Sequence, residues 1–592
     1  MDYFSMIPRA VVSSSLFHST SPDHGTLMLR MLSLCSSSSA ISGQNMSMLA
    51  VSLLFLVMGT WVLVGLLAWG HPGGFAWGLH SLRVRSCSSK PADTTQSPSL
   101  IPGPRGLPFF GSLLAFTGNR GKCAHRVLAA LAAAYKARPL MAFSLGSTRV
   151  VVSSDPCVAR QILCNAAFTE RPLTTSARRL LFGRSIGFSP SGDRWRNLRR
   201  ICAAHLFNPR RIAAHERIRQ LDCTAMLDAM AQSLKRGSVL HVRPYLQHAA
   251  LNNIMETVFG KRFEFADMNA NGAGEAAEVQ KMVREGFELL GAFNFSDHLP
   301  SAFDVIDALR VRQRCDNLVP KVFAYVQAII AEHRCRRQAK LGTSSLETDN
   351  LSRSAHKNDD GDFVDALLAL EAEEKLTDSD MVSILWEMVF RGTDTMAILT
   401  EWILAELVLH SDVQAKLYAE IREVVREEGD IRDSDARQMP YLQAVVQEGL
   451  RMHLPGPLLS WARVAVHDTE VAGHLIPEGT TAMVNMWAIT HDKTIWEDPE
   501  TFMPERFLSK GEREVATMIG GGVDLRLAPF GAGARACPGK ALAMATVSLW
   551  LARIVQCFQI TQHPLHPVQL TEVLKLSCEM EVPLVACFIP RR

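Results

Sequence analysis

No Cys-X-X-Cys pair occurs anywhere in the 592 residues, although the chain holds 13 cysteines. An odd number of widely spaced thiols argues against a zinc ribbon, a thioredoxin-type motif and a disulfide framework. Buried, reduced thiols and a folded body facing the cytosol are expected instead. Strong charge of one sign is also missing. The 62 Lys and Arg against 59 Asp and Glu leave a formal charge of +3, without the basic stripe of a nucleic-acid binder. No internal repeat is visible. What the chain has is apolar material, 47% against 20% charged, enough for a large core.

Charge vanishes altogether from Met48 to Trp69, MLAVSLLFLVMGTWVLVGLLAW. About 20 apolar residues match the thickness of a hydrocarbon core, so 48–69 is expected to be a transmembrane anchor. Arg83, Arg85 and Lys90 follow it and only Arg30 precedes it at comparable distance, which keeps the body cytosolic. Residues 1–47 read as a disordered or processed extension. They are serine-rich and balance Arg9 and Arg30 against Asp2 and Asp23, so plastid targeting is the minor alternative. A start at Met46 or Met48 would leave the anchor whole. Residues 70–112 read as a linker ending in the hinge IPGPRGLPFFGS, where Pro102, Pro104 and Pro108 forbid regular structure.

From 113 to 592 a single large domain is expected, mainly α with small β-sheets. Apolar spacing of three and four marks helices such as RVLAALAAAYKA, TRVVVSSD reads as a strand, and polar residues 339–362 read as a surface loop. The longest helix starts at TDSD (377–380), capped by Asp378 or Ser379, and runs to about His410. Its polar interior, RGTDT at 391–395, contains Gly392, which costs about 1 kcal/mol against alanine. Such a helix is expected to bend around something.

PFGAGARACPGKAL (529–542) isolates Cys537 in a glycine-rich loop. A buried structural thiol is one reading. A dinucleotide fingerprint, GAGARA, is a second, but Pro529 blocks the strand that this motif needs. In the third, Pro538 opens a helix and Cys537 is a thiolate at its N-terminus. One thiolate cannot complete a zinc site, whereas a haem iron takes one axially.

FGAGARACPG resembles the haem-binding signature of the cytochrome P-450 monooxygenases at Phe530, Gly533, Arg535, Cys537 and Gly539. Further matches lie in family order. WRNLR supplies Trp195 and Arg199, GTDT the oxygen-binding segment, EGLR the pair Glu448 and Arg451, and PERF supplies Arg506. The resemblance spans roughly 100–592, and anchor plus hinge match the plant microsomal class. WEMVFRGTDT and APFGAGARACPGKALA are closer still to the plastochron/Kluh-like subfamily, associated with organ size and leaf initiation.

The resemblance implies haem b with Cys537 as its axial, metal-binding ligand. Trp195, Arg199, Arg535 and Arg463 would meet the propionates, and Glu448, Arg451 and Arg506 would form a structural ion network. Asp394 and Thr395 would be catalytic, relaying the protons that O2 splitting requires. Arg391 and Met396 depart from the family pattern, where small and hydroxylated residues are usual. Implied partners are NADPH–cytochrome P-450 reductase, possibly cytochrome b5, the bilayer and a lipophilic substrate; nucleic acid is not one. NADPH would serve only through the reductase.

The expected protein is an endoplasmic-reticulum monooxygenase inserting one oxygen atom into a fatty-acid- or terpenoid-like molecule, its product a plant growth signal. Segments 174–185, 287–299, 454–461 and the long-helix centre are expected to line its pocket. The alternative is a haem-thiolate isomerase or dehydratase working on a hydroperoxide, against which Asp394 and Thr395 count. A membrane-tethered haem sensor is a third class.

Overall fold

The computed structural model describes residues 43–87, 100–117, 123–180, 182–235, 237, 239–265, 274–300, 310–344, 361–370, 376–425, 429–459, 462–508 and 524–591. The N-terminal extension before residue 43 and most of the 339–362 loop lie outside these. The chain divides into Met1–Val64 and Gly65–Arg592.

In the first unit the described residues belong to helix α1 (Gly43–Trp69), which begins before the uncharged run. Its segment Ala50–Trp69 has a mean hydropathy of 2.4 and is almost wholly exposed, the profile of a helix made for hydrocarbon rather than for a protein core.

The second unit is mainly helical with small sheets. Three of its helices carry the core and the site: α4 (Asp378–Leu409), α5 (Pro440–Met452) and α6 (Lys540–Cys557), with α2 (Asp193–His205) and α3 (Arg243–Phe259) packed around them. Trp386, Trp402 and Trp550 are fully buried in the main core. The cap of α4 is Thr377, whose hydroxyl accepts from the Asp380 N–H at 3.2 Å. TDSD offers consecutive capping residues, and only the chain's entry angle selects the first. The helix continues unbroken through RGTDT. Gly392 is there for packing: a Cβ would lie 2.3 Å from Ile254 Cδ1 of α3, so the glycine sets how closely the two helices approach.

The largest sheet has the order β1 (Met141–Leu145), β2 (Thr148–Ser153), β4 (Thr481–Val484), β3 (Arg463–Val464). β1 and β2 pair antiparallel, Met141 opposite Val152, while β2 and β4 run parallel, Val150 opposite Thr481. The proline-rich segment is no free spacer. The Ala142 N–H donates to Pro102 O at 3.0 Å, the Ser112 N–H donates to Ser144 O at 2.7 Å, and Ile101 is buried. Prolines keep these residues out of helix and strand, and β1 then donates to the Pro102 carbonyl and accepts from the Ser112 N–H.

Candidate active site

Cys537 stands between a 3₁₀ turn, Gly533–Arg535, and α6. The turn needs glycine. Gly533 has φ +69°, and a Cβ there would lie 2.1 Å from the Leu163 carbonyl oxygen. The Cys537 N–H closes the loop onto Phe530 O at 2.9 Å. Because α6 starts at Lys540, Pro538 lies in the preceding turn and not in the helix, a correction to the expected helix-end position. The sulfur is enclosed by protein yet open to a cavity of about 270 Å³. Burial pushes its pKa up; the Gly539 N–H, then Arg391, Arg199 and Arg171, pull the other way. The free thiol therefore keeps its proton, and a Lewis acid is what would draw out the thiolate.

Guanidiniums crowd this cavity. Arg171, Arg199, Arg391, Arg463 and Arg535 all line it. Burial and mutual repulsion lower Arg463 and Arg535 to about 10 each, and Arg171 is lowered well below the ordinary arginine value for the same reasons. Their donors are used differently. Arg535 spends its Nε on Thr169 O (2.9 Å), Nη1 on Ile186 O (2.9 Å) and Nη2 on Ser189 O (2.6 Å). Arg199 donates Nη2 to Ala536 O at 2.6 Å. Trp195 gives its indole N–H to Ile186 O at 2.9 Å and lies 4.2 Å beneath the Arg535 guanidinium. By contrast, Nε and Nη1 of both Arg171 and Arg463 are buried without a hydrogen-bond partner. Buried guanidinium N–H groups facing a cavity with too few acids fit a ligand carrying two carboxylates. A flat group seated against Gly531 and Gly539, thiol on one side and these donors at its edge, matches haem. Arg171 was not among the sequence candidates; its only local signal is ERPL, an arginine fixed before a proline.

On the opposite wall Thr395 lines the cavity. Asp394, its neighbour on α4, is pushed up to about 6 by burial and then by the Glu579 carboxylate, against a hydrogen bond from Gln247 and the charges of Arg243 and Lys575. Arg243 in turn donates Nε to Glu401 Oε2 at 2.7 Å. A carboxyl near neutrality, one residue before a threonine that lines the cavity, is suited to exchanging protons.

Glu448, Arg451 and Arg506 come together away from the cavity. Arg451 grips Glu448 with two bonds of 2.8 Å, and Arg506 Nε adds a third at 3.1 Å. The Met503 N–H reaches the same carboxylate at 3.0 Å, and Arg451 Nη1 donates to Thr490 O at 2.9 Å. All three side chains are buried. The network ties α5 to the PERF turn.

A second cavity, about 820 Å³, shares Gly456 and Leu576 with the first. Thr174, Thr175, Phe293, His298 and Leu458 line it, and Phe287, Met388 and Pro455 line the first, so all four expected pocket segments contribute. Leu181, Ser460 and Trp461 of those segments lie outside the described residues.

Fold and site together define a mainly α protein with one cavity lined by a cysteine, a threonine and several guanidiniums, where a flat group with two carboxylates would fit. Comparison with known proteins agrees. The cytochrome P450 family model matches residues 101–581. The chain is 52% identical over 533 residues to cytochrome P450 78A11 of Oryza sativa subsp. japonica, covering 89% of this chain and 90% of that one. It is 49% identical over 541 residues to cytochrome P450 78A7 of Arabidopsis thaliana, with 91% and 92% covered. With cytochrome P450 78A1 of Zea mays the identity is 54% over 459 residues, covering 77% and 80%. The chain belongs to the cytochrome P450 family, among these 78A relatives and hence in the plastochron/Kluh-like subfamily. A monooxygenase using haem with a cysteine thiolate follows from that membership.

Proposed function

We propose that this enzyme inserts one atom of O2 into a lipophilic, fatty-acid- or terpenoid-like small molecule, and that the product acts as a plant growth or organ-size signal. The thiol at Cys537, open to a cavity where Arg171 and Arg463 keep buried N–H groups without a partner, carries the reading. Haem, when bound, supplies the O2 chemistry. Arg171 and Arg463 hold its propionates with their free N–H groups, Arg199 stands beside them, and Arg535 and Trp195 brace the loop that shapes the seat. Phe530, Gly533 and Gly539 keep that loop close, and Glu448, Arg451 and Arg506 hold the structure behind it.

The residues of α4 manage protons. Asp394 takes a proton from the solvent side and passes it to the Thr395 hydroxyl, which presents it to the cavity. The substrate enters through the larger cavity and meets the smaller one at Gly456 and Leu576. Electrons come from NADPH through a separate reductase, with cytochrome b5 as a possible second donor. Residues 48–69 anchor the chain in the endoplasmic reticulum membrane, with 113–592 as the cytosolic catalytic domain.

The test is the absorption spectrum of the reduced, carbon-monoxide-treated protein. The shifted Soret band of a thiolate ligand is expected in the wild type and is lost in Cys537→Ser. A Ser variant that kept both pigment and turnover would refute the reading.

A further inference from the structure

Glu387, Arg391 and Thr395 follow at four-residue spacing on α4, which places them on one helix face, and all three line the smaller cavity. Arg391 Nε donates to Glu387 Oε1 at 2.8 Å, and the Gly187 N–H donates to the same oxygen at 2.9 Å. The loop at Gly187 lies flush on this ion pair: a Cβ there would sit 2.0 Å from Arg391 Nη2 and 2.3 Å from Glu387 Oε1. Phe188 faces the guanidinium at 5.9 Å. The loop is held in place as well by Arg535 and Trp195, which donate to the carbonyls of Ile186 and Ser189. Glu387 is buried and cannot swing away, with 1% of its side chain exposed against 34% for Arg391. A bulky side chain thus occupies the turn before the catalytic threonine, clamped at its root and along its flank.

We propose that Arg391, locked by Glu387 against Gly187, sets the size limit of the cavity beside Thr395, closing it to broad ring systems and admitting the slender end of a chain-like substrate. Arg391 is the specificity-determining residue and Glu387 the positioning residue behind it. The proposal rests on reading this cavity as the place where haem and substrate meet.

Ligand size is the discriminating variable. The haem-loaded full chain is titrated with imidazole, 4-phenylimidazole and a trityl-substituted imidazole, following the ligand-induced shift in haem absorption. Arg391→Ala is expected to tighten the trityl compound at least about tenfold while imidazole changes less than about twofold, the range a steric wall commands. Glu387→Gln, which keeps an acceptor for Gly187 but weakens the hold on Arg391, should fall between. Equal response to all three ligands, or a wild type that takes the trityl compound as readily as imidazole, overturns the proposal. Arg391→Met, long but uncharged, guards against a misfolded alanine variant and is expected to gain the bulky ligand too. Loss of haem from both variants with unchanged helical circular dichroism would assign Arg391 to haem retention, which also overturns it. The carbon-monoxide band of the wild type separates this failure from failure of the proposed function, since that band does not depend on the size profile.

Discussion

Replacing Asp394 with asparagine should stabilise the protein at neutral pH while damaging its chemistry. The folded chain raises this carboxyl from 3.8 to about 6, chiefly by burial and then by Glu579. A raised carboxyl makes the folded state the better proton binder. Stability therefore rises as pH falls through about 6 and levels off near the unfolded value of about 4. Above pH 6 the folded state holds an unwanted charge. The gap of about two pH units corresponds to up to about 3 kcal/mol. Asn keeps a partner for Gln247 and removes the charge, so D394N should gain up to about 3 kcal/mol at pH 7.5 and only about 1 kcal/mol at pH 4.5, the gain vanishing below the unfolded value of about 4. Urea midpoints of the haem-loaded protein, followed by circular dichroism at both pH values, measure the difference. In turnover the same variant should release peroxide in place of product. A D394N protein less stable than wild type at pH 7.5, or a difference that ignores pH, would refute the assignment of a strained, proton-handling carboxyl.

Two further outcomes follow from the cations. Arg451→Leu leaves the buried Glu448 with only Arg506 as a charged partner, and breaking such a pair costs about 3–5 kcal/mol. The check is a lower urea midpoint together with poor haem loading, and the double variant Glu448→Gln, Arg451→Leu should recover part of the loss. Arg171→Gln removes two buried donors, Nε and Nη1, that have no protein partner, so the apoprotein should be as stable as wild type or more so. Haem transfer to apomyoglobin should meanwhile speed up about tenfold, the worth of one charge-assisted hydrogen bond of about 1.5 kcal/mol. Slower haem loss would refute the role given to Arg171.

What the sequence made legible, and what it hid, divides along the source of each constraint. The cysteine loop, the EGLR pair and the uncharged N-terminal helix are local patterns, because a turn that needs Gly533 or a helix face that pairs Glu448 with Arg451 is written in consecutive residues. The fold class was legible for the same reason. Arg171 was hidden because nothing around ERPL distinguishes an arginine bound for a cavity from one bound for solvent. The cap of α4 is Thr377 and not the expected Asp378 or Ser379, since all three are good capping residues and the sequence does not say where the chain enters the helix. Among the cations that line the cavity the contrast is sharper. Arg199, Arg463 and Arg535 lie at one cavity, yet their tasks differ according to which backbone carbonyls reach them first. Arg535 is consumed by Thr169, Ile186 and Ser189, whereas Arg463 keeps two buried donors open. A motif therefore names the residues that gather at a site, and the carbonyls brought there by distant segments decide which of them remain free to hold a ligand.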